Sequence, residues 1–330
     1  MNSRNLIVFD MDGVIMDVSG SYRDVVRQTT KLFFHLARGA EKLPDPLFAL
    51  SDLAALKQSG GLNNDWDLTF VVINLLFCLV NRPAIHESRD AWTRYRGTIG
   101  SCNVAPIATF LKSNNNPLIS LLKKYGQPEN KFIEGLYHGD VGSGNIIKQI
   151  FQELYLGKNL FQSTYHLAPE MYSGEGYILR EAVLIDRSVL DDLFKENVLA
   201  IATGRPKAEA EYPLNHFDLK KYFTLVLTLD DCLEEEKKIF EKSAKKVSLS
   251  KPNPFMLDAI VKSCRQSFTG LYYVGDMPDD MLAAARSRFG FKSIGILVSA
   301  PDKPELQREL KRAGADYLID DFEDLKKIVL

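Results

Sequence analysis

The chain changes its hydrophobic period twice. Leu6-Ile7-Val8-Phe9 is an unbroken apolar run that ends in Asp10. A run of that length bounded by a charge predicts a fully buried strand of a parallel sheet. From Ser21 to Ala37 the spacing becomes helical, with Val25, Val26, Thr29, Leu32, Phe33 and Leu36 on one face. A proline-containing loop, Leu43–Pro46, leads to the polar stretch Gly60–Trp66, where Asn64 or Asp65 is placed to cap an apolar helix running to Val80. Helical spacing returns at Leu118–Tyr125 and Ile146–Leu156, between turns rich in Gly, Asn and Pro. No strand pattern stands out between about residue 20 and about residue 175.

Sheet signals resume after Tyr172. Ser188-Val189-Leu190-Asp191 predicts a helix opened by a capping box. Val198–Ala202 reads as a second buried strand, ending at Thr203-Gly204-Arg205-Pro206, and Phe223–Leu229 as a third. A helix is expected over Pro252–Cys264, then a strand Leu271–Val274 running into Gly275-Asp276, and a helix Met281–Arg288. Ser293–Leu297 and Tyr317–Ile319 complete the strands. Strands alternating with helices predict an α/β fold with a doubly wound, mainly parallel sheet. Residues 1–18 and 175–330 would form it, with 19–174 as an inserted helical domain.

Composition narrows the function classes. The 330 residues are 45% apolar and 25% charged, and the formal charge is −2. That balance argues against a nucleic-acid or anionic-membrane surface as the main partner. The stretch Leu68–Val80 is too short to span a bilayer and is interrupted by Thr69 and Asn74. Cys78, Cys102, Cys232 and Cys264 form no C-x-x-C pair and read as reduced core thiols of a cytoplasmic protein. So few residues precede the first strand that no signal or transit peptide is expected there.

The candidate chemistry lies at the strand ends. Asp10 and Asp12 sit where open α/β sheets bind ligands, and Gly13 lets the backbone turn away. Two like charges near a buried strand tip are costly without a cation, and a hard, oxygen-liganded ion such as magnesium fits them best. Thr203-Gly204-Arg205, Lys251, and Asp276 with Asp279 and Asp280 stand at the ends of later elements.

The motifs D-M-D-G-V, T-G, K-P-N-P and G-D-M-P-D-D with M-L-A-A-A-R follow one another in that order. In them the chain resembles the haloacid dehalogenase (HAD) superfamily, within the group that includes the phosphoglycolate phosphatases. The resemblance covers residues 6–16 and about 183–330. It implies a Rossmann-like core with a helical cap inserted after the first motif. It also implies a magnesium-dependent phosphatase acting on a small phosphorylated metabolite. Asp10 would be the nucleophile that forms an aspartyl-phosphate, and Asp12 the acid and then the base. Asp10, the backbone carbonyl of Asp12, and Asp276 would hold Mg2+, supported by Asp280. Thr203, Gly204 and Lys251 would hold the phosphoryl oxygens, and Lys251 would keep Asp10 ionised.

Dehalogenases that resemble the motif lack an acid at the position of Asp12, and transporting ATPases carry threonine there, so a phosphatase is expected. A phosphomutase of sugar phosphates and a catalytically idle binding module are the alternatives. Several residues have plainer readings. Thr203 could be a helix cap, Lys251 a surface lysine, and Asp279 an acid favoured only by its helix N-terminus. Arg205 could contact substrate phosphate or pair with a carboxylate of the cap. In the inserted domain, Asn63, Asn64, Asp65 and Trp66 could read the leaving group, or could be a helix cap with a packing tryptophan. Tyr22 and Arg23 are candidates of the same kind. His138–Gly144 lacks the Lys-Ser/Thr of a P-loop and reads as a turn.

Overall fold

A computed structural model describes residues 4–60, 64–81, 83–264 and 266–330. They form two compact units, Met1–Val18 with Glu181–Leu330, and Ser19–Arg180.

The first unit is built on strands β1 (Asn5–Phe9), β2 (Met16–Asp17), β3 (Ala182–Val183), β4 (Asn197–Ala202), β5 (Leu225–Leu227), β6 (Leu271–Gly275), β7 (Lys292–Ile296) and β8 (Tyr317–Ile319). Six of them make one sheet in the order β5-β4-β1-β6-β7-β8, every pair parallel. β2 and β3 pair separately as a short antiparallel ribbon. β1 lies in the middle, with Phe9 opposite Ile201 on one side and Val274 on the other. Leu6, Ile7, Val8 and Phe9 are therefore fully buried, which is why the run carries no polar residue. The chain runs outward from β1 in both directions, so its C-terminal end is the switch point at which open α/β sheets form a crevice. The sequence expectation of a doubly wound, parallel α/β core holds.

The second unit is helical: α1 (Tyr22–Phe33), α2 (Leu50–Gly60), α3 (Asp65–Phe77), α4 (Ala91–Ser101), α5 (Ala105–Ser113), α6 (Pro117–Tyr125), α7 (Lys131–Glu134) and α8 (Ile146–Tyr165). The sheet is flanked by α9 (Arg187–Glu196), α10 (Lys207–His216), α11 (Leu229–Ser243), α12 (Phe255–Cys264), α13 (Pro278–Arg286), α14 (Lys303–Arg312) and α15 (Phe322–Val329). No helix among the described residues is long and apolar enough to cross a membrane.

Several boundaries differ from the sequence expectation, each for a local reason. α1 ends at Phe33 rather than near Ala37, because the Arg38 backbone pairs with Cys102 and Val104. α9 is capped at Asp186, not Ser188, and Asp191 instead accepts the Tyr222 hydroxyl at 2.7 Å. α12 starts at Phe255 because Pro254 disfavours the helical conformation at Asn253, whose side chain accepts the Phe255 N–H at 3.0 Å. α8, by contrast, keeps the expected stretch Ile146–Leu156: at Gly157 (φ 69, ψ 173) the backbone leaves helical geometry in a kink before a further helical stretch to Tyr165, and it passes so close to Gly176 that any side chain would collide.

Candidate active site

Asp10 is the first residue beyond β1, and its N–H donates to the Val274 carbonyl at 2.8 Å, which ties the strand tip to β6. Its Oδ1 accepts the Met11 N–H at 2.7 Å and lies 2.8 Å from the Lys251 ammonium. Asp276 is the first residue beyond β6, and Asp280 lies in the first turn of α13. Carboxylate oxygens of Asp10, Asp276 and Asp280 fall within 4.8 Å of one another, and all three residues are buried. Sequence positions hundreds of residues apart thus converge because β1 and β6 are hydrogen-bonded neighbours.

Asp280 is held by three donors. One oxygen accepts the Met277 N–H at 3.0 Å and so caps α13, while the other receives Lys251 at 2.8 Å and the Tyr273 hydroxyl at 2.9 Å. Two glycines make the approach possible. A Cβ on Gly13 would collide with the Asp276 carboxylate, and one on Gly275 with the Asp280 side chain.

The electrostatics follow from this packing. Burial pushes the Asp10 carboxyl up to about 8; Lys251 pulls the other way, and Asp280, Asp12 and Asp276 add to the rise. Lys251 does favour the Asp10 carboxylate, as its charge predicts, but burial outweighs it. Burial also works against the Lys251 ammonium, yet Asp10 and Asp280 hold it well above its ordinary value. Lys251 pairs with two of the three buried acids, Asp10 and Asp280, and a divalent cation beside all three would favour their ionised forms. The donors are all hard oxygens, which suits magnesium. Asp10, Asp276 and Asp280 are the residues that could hold it.

Asp12 lies apart from this cluster. Its side chain is 34% exposed, and its Oδ1 receives Arg205 Nε at 2.6 Å and Nη2 at 2.5 Å. Arg205 is buried and also forms a two-point ion pair with Glu181, at 3.0 and 3.1 Å. Two of its partners, Asp12 and Glu181, thus lie within the sheet unit. Thr203 is buried just beyond β4 and its Oγ1 accepts the Arg205 N–H at 3.2 Å. It is not the cap of α10, which begins at Lys207, so that plainer reading of Thr203 falls. Gly204 is exposed next to it. Asp279 is in the first turn of α13.

The remaining candidates belong to the helical unit. Asn64 caps α3 by accepting the Asp67 N–H at 2.7 Å, and Asp65 pairs with Lys57 at 3.1 Å. The Lys148 ammonium stands 4.2 Å over the Trp66 ring, whose buried indole N–H has no hydrogen-bond partner among the described residues. Asn63 lies outside the described residues. Tyr22 is buried and stacks on Tyr155 with ring centroids 4.0 Å apart; Arg23 follows it on α1, half-buried. His138–Gly144 is a turn in which Ser143 Oγ accepts the Asp140 N–H at 2.7 Å.

Sequence reasoning missed three residues here. Tyr273 read only as part of a strand, although a buried phenol needs a partner for its hydroxyl and that need was a usable signal. Glu181 sat in an unpatterned stretch. The buried Ser299 hydroxyl has no hydrogen-bond partner among the described residues and lies 2.9 Å from where a Cβ on Gly13 would be, and nothing in the local sequence pointed to it.

A family model described as haloacid dehalogenase-like hydrolase matches residues 5–288. Among solved structures, an X-ray structure of a Northeast Structural Genomics Consortium target is similar at 23% identity and TM-score 0.66, covering 98% of each chain. A phosphatase from Thermococcus thioreducens is similar at 19% identity and TM-score 0.49, over 93% of this chain and 99% of that one. No curated protein matches the sequence significantly.

Proposed function

The chain belongs to the haloacid dehalogenase-like hydrolase family, and from that premise we propose that it is a magnesium-dependent phosphatase of a small phosphate monoester. The observation that supports this reading best is the convergence of Asp10, Asp276 and Asp280 within 4.8 Å, with Lys251 2.8 Å from two of them.

In this reading Asp10 attacks phosphorus, an Asp10–phosphorus bond forms, and the bond to the leaving oxygen breaks. Asp12 gives that oxygen a proton, then takes one from the water that cleaves the aspartyl-phosphate. Lys251 neutralises part of the charge brought in by the phosphoryl group, and Thr203 and Gly204 bind its oxygens. Asp10 and Asp276, with Asp280 in support, would hold magnesium, which would supply the charge that lets an anionic nucleophile approach an anionic ester. The helical unit, as a cap, would select the substrate, with Trp66, Asn64, Asp65, Tyr22 and Arg23 as its candidate contacts. We place the enzyme in the cytoplasm, acting on a soluble phosphorylated metabolite.

The test is release of inorganic phosphate from a panel of phosphate monoesters by the purified protein. Activity is expected with magnesium, is lost in EDTA, and is lost in Asp10→Asn with the fold intact. Turnover that survives both changes rules out the proposed mechanism. Return of the phosphate to another position of the same sugar, without release, identifies a mutase instead.

A further inference from the structure

Arg205 is buried, and a guanidinium is stable in that position only if its charge and its N–H groups are matched. Glu181 supplies the balancing charge through both of its oxygens, and the Glu209 carbonyl accepts from Nη1 at 3.2 Å. An arginine serving only to balance Glu181 would have no reason to reach the strand tip. Arg205 nevertheless turns its other edge, Nε and Nη2, onto Oδ1 of Asp12. The side-chain exposures fall from 34% at Asp12 to 1% at Arg205 and 0% at Glu181, so the half-exposed acid is tethered to a fully buried anchor.

We propose that Glu181 and Arg205 form a positioning pair that fixes the carboxylate of Asp12 for proton transfer to and from the reacting groups. This rests on the phosphatase reading given above. Both guanidinium contacts go to Oδ1, so Oδ2 takes no part in the pair and is the oxygen that exchanges the proton. Holding the carboxylate in one orientation removes the rotational freedom it would otherwise lose at each turnover. The planar fork is essential, because one edge meets Glu181 while the other meets Asp12. A lysine has a single ammonium and cannot serve both.

The experiment compares two substrates. An alkyl phosphate such as glycerol phosphate needs its leaving oxygen protonated as the P–O bond breaks. p-Nitrophenyl phosphate releases a stable phenolate and needs no such proton. Arg205→Lys and Glu181→Gln are expected to lower kcat on the alkyl phosphate by roughly tenfold or more, and on the aryl phosphate by less than about threefold. KM and the magnesium-induced rise in Tm should be unchanged. In an Asp12→Asn background, Arg205→Lys should cost nothing further on the alkyl substrate, because the group it positions is gone. Should either single variant fail to fold, Glu181→Leu combined with Arg205→Met removes the buried charges together and is read in the same way. Equal proportional losses on both substrates, or a further loss in the Asp12→Asn background, overturn the positioning role alone. If the wild-type protein releases phosphate from no ester of the panel, the phosphatase reading falls and this inference with it; if it acts on other members of the panel, the alkyl and aryl esters for this comparison are taken from those it hydrolyses.

Discussion

The Asp276 carboxylate occupies the place that a side chain on Gly13 would need, so the turn after β1 and the end of β6 are fitted to each other. Gly13 also has a left-handed backbone at φ 72, which an L side chain adopts only with strain. Gly13→Ala should therefore displace Asp276 as well as strain the turn, at a cost of about 1–3 kcal/mol for the backbone alone. Thermal unfolding with and without magnesium separates the two effects. The variant should melt lower and should gain little from the metal, and a full magnesium response would contradict the assignment of Asp276.

The raised Asp10 carboxyl makes a prediction about pH. In the unfolded chain this group loses its proton near its ordinary value, whereas in the metal-free fold it keeps it up to about 8. Between about pH 4 and pH 8 the folded state then binds more protons than the unfolded state, so this group's contribution to stability falls as pH rises. Magnesium should be bound by the ionised form and offset that loss. The rise in Tm on adding magnesium should consequently grow from about pH 5 to about pH 8. Differential scanning calorimetry at several pH values checks this, and a magnesium increment independent of pH would refute it.

Much of the sheet unit was legible because each central strand is an apolar run ending in a polar residue. Phe9-Asp10, Ala202-Thr203 and Gly275-Asp276 all mark such ends, and adjacent parallel strands then bring those ends together. What was not legible depends on contacts between distant segments. Glu181 is buried with Arg205, 24 residues on, neutralising its charge, and in the sequence it looks like an ordinary loop acid. The helices Ala91–Ser101 and Ala105–Ser113 were missed because each is short and buries only one narrow face. Only Tyr95, Thr98 and Ile99 of the first are buried, and Ile107, Ala108 and Leu111 of the second.

Tyr273 donates to the same Asp280 oxygen that Lys251 approaches, and its hydroxyl is buried. Removing it leaves a buried carboxylate with one donor fewer, a loss of about 2 kcal/mol for a hydrogen bond to a charged group. Tyr273→Phe keeps the ring packing, so the cost should appear in urea unfolding as a lower midpoint with an unchanged slope. Because Lys251 and Met277 still hold Asp280, phosphatase turnover should fall by less than about tenfold, far short of the loss expected for Asp10→Asn. A midpoint equal to the wild type would show that the hydroxyl contributes nothing to the cluster.

In the helical unit, Glu153 of α8 anchors the backbone of residues 170–172. Its Oε1 accepts the Glu170 N–H at 2.9 Å and the Gln149 amide at 3.0 Å. Its Oε2 accepts the N–H groups of Met171 at 2.7 Å and Tyr172 at 3.0 Å. Only an acceptor-only group satisfies all four donors, so Glu153→Gln turns an amide N–H toward at least one of them. The unmatched buried donor should cost about 1–3 kcal/mol. The loss should be local, because these contacts hold one segment against one helix. Hydrogen exchange is the direct readout: the amides of residues 170–172 should exchange faster in the variant, while those of β1 and β6 keep their protection. If the 170–172 amides stay as protected as in the wild type, the anchoring role of Glu153 is wrong.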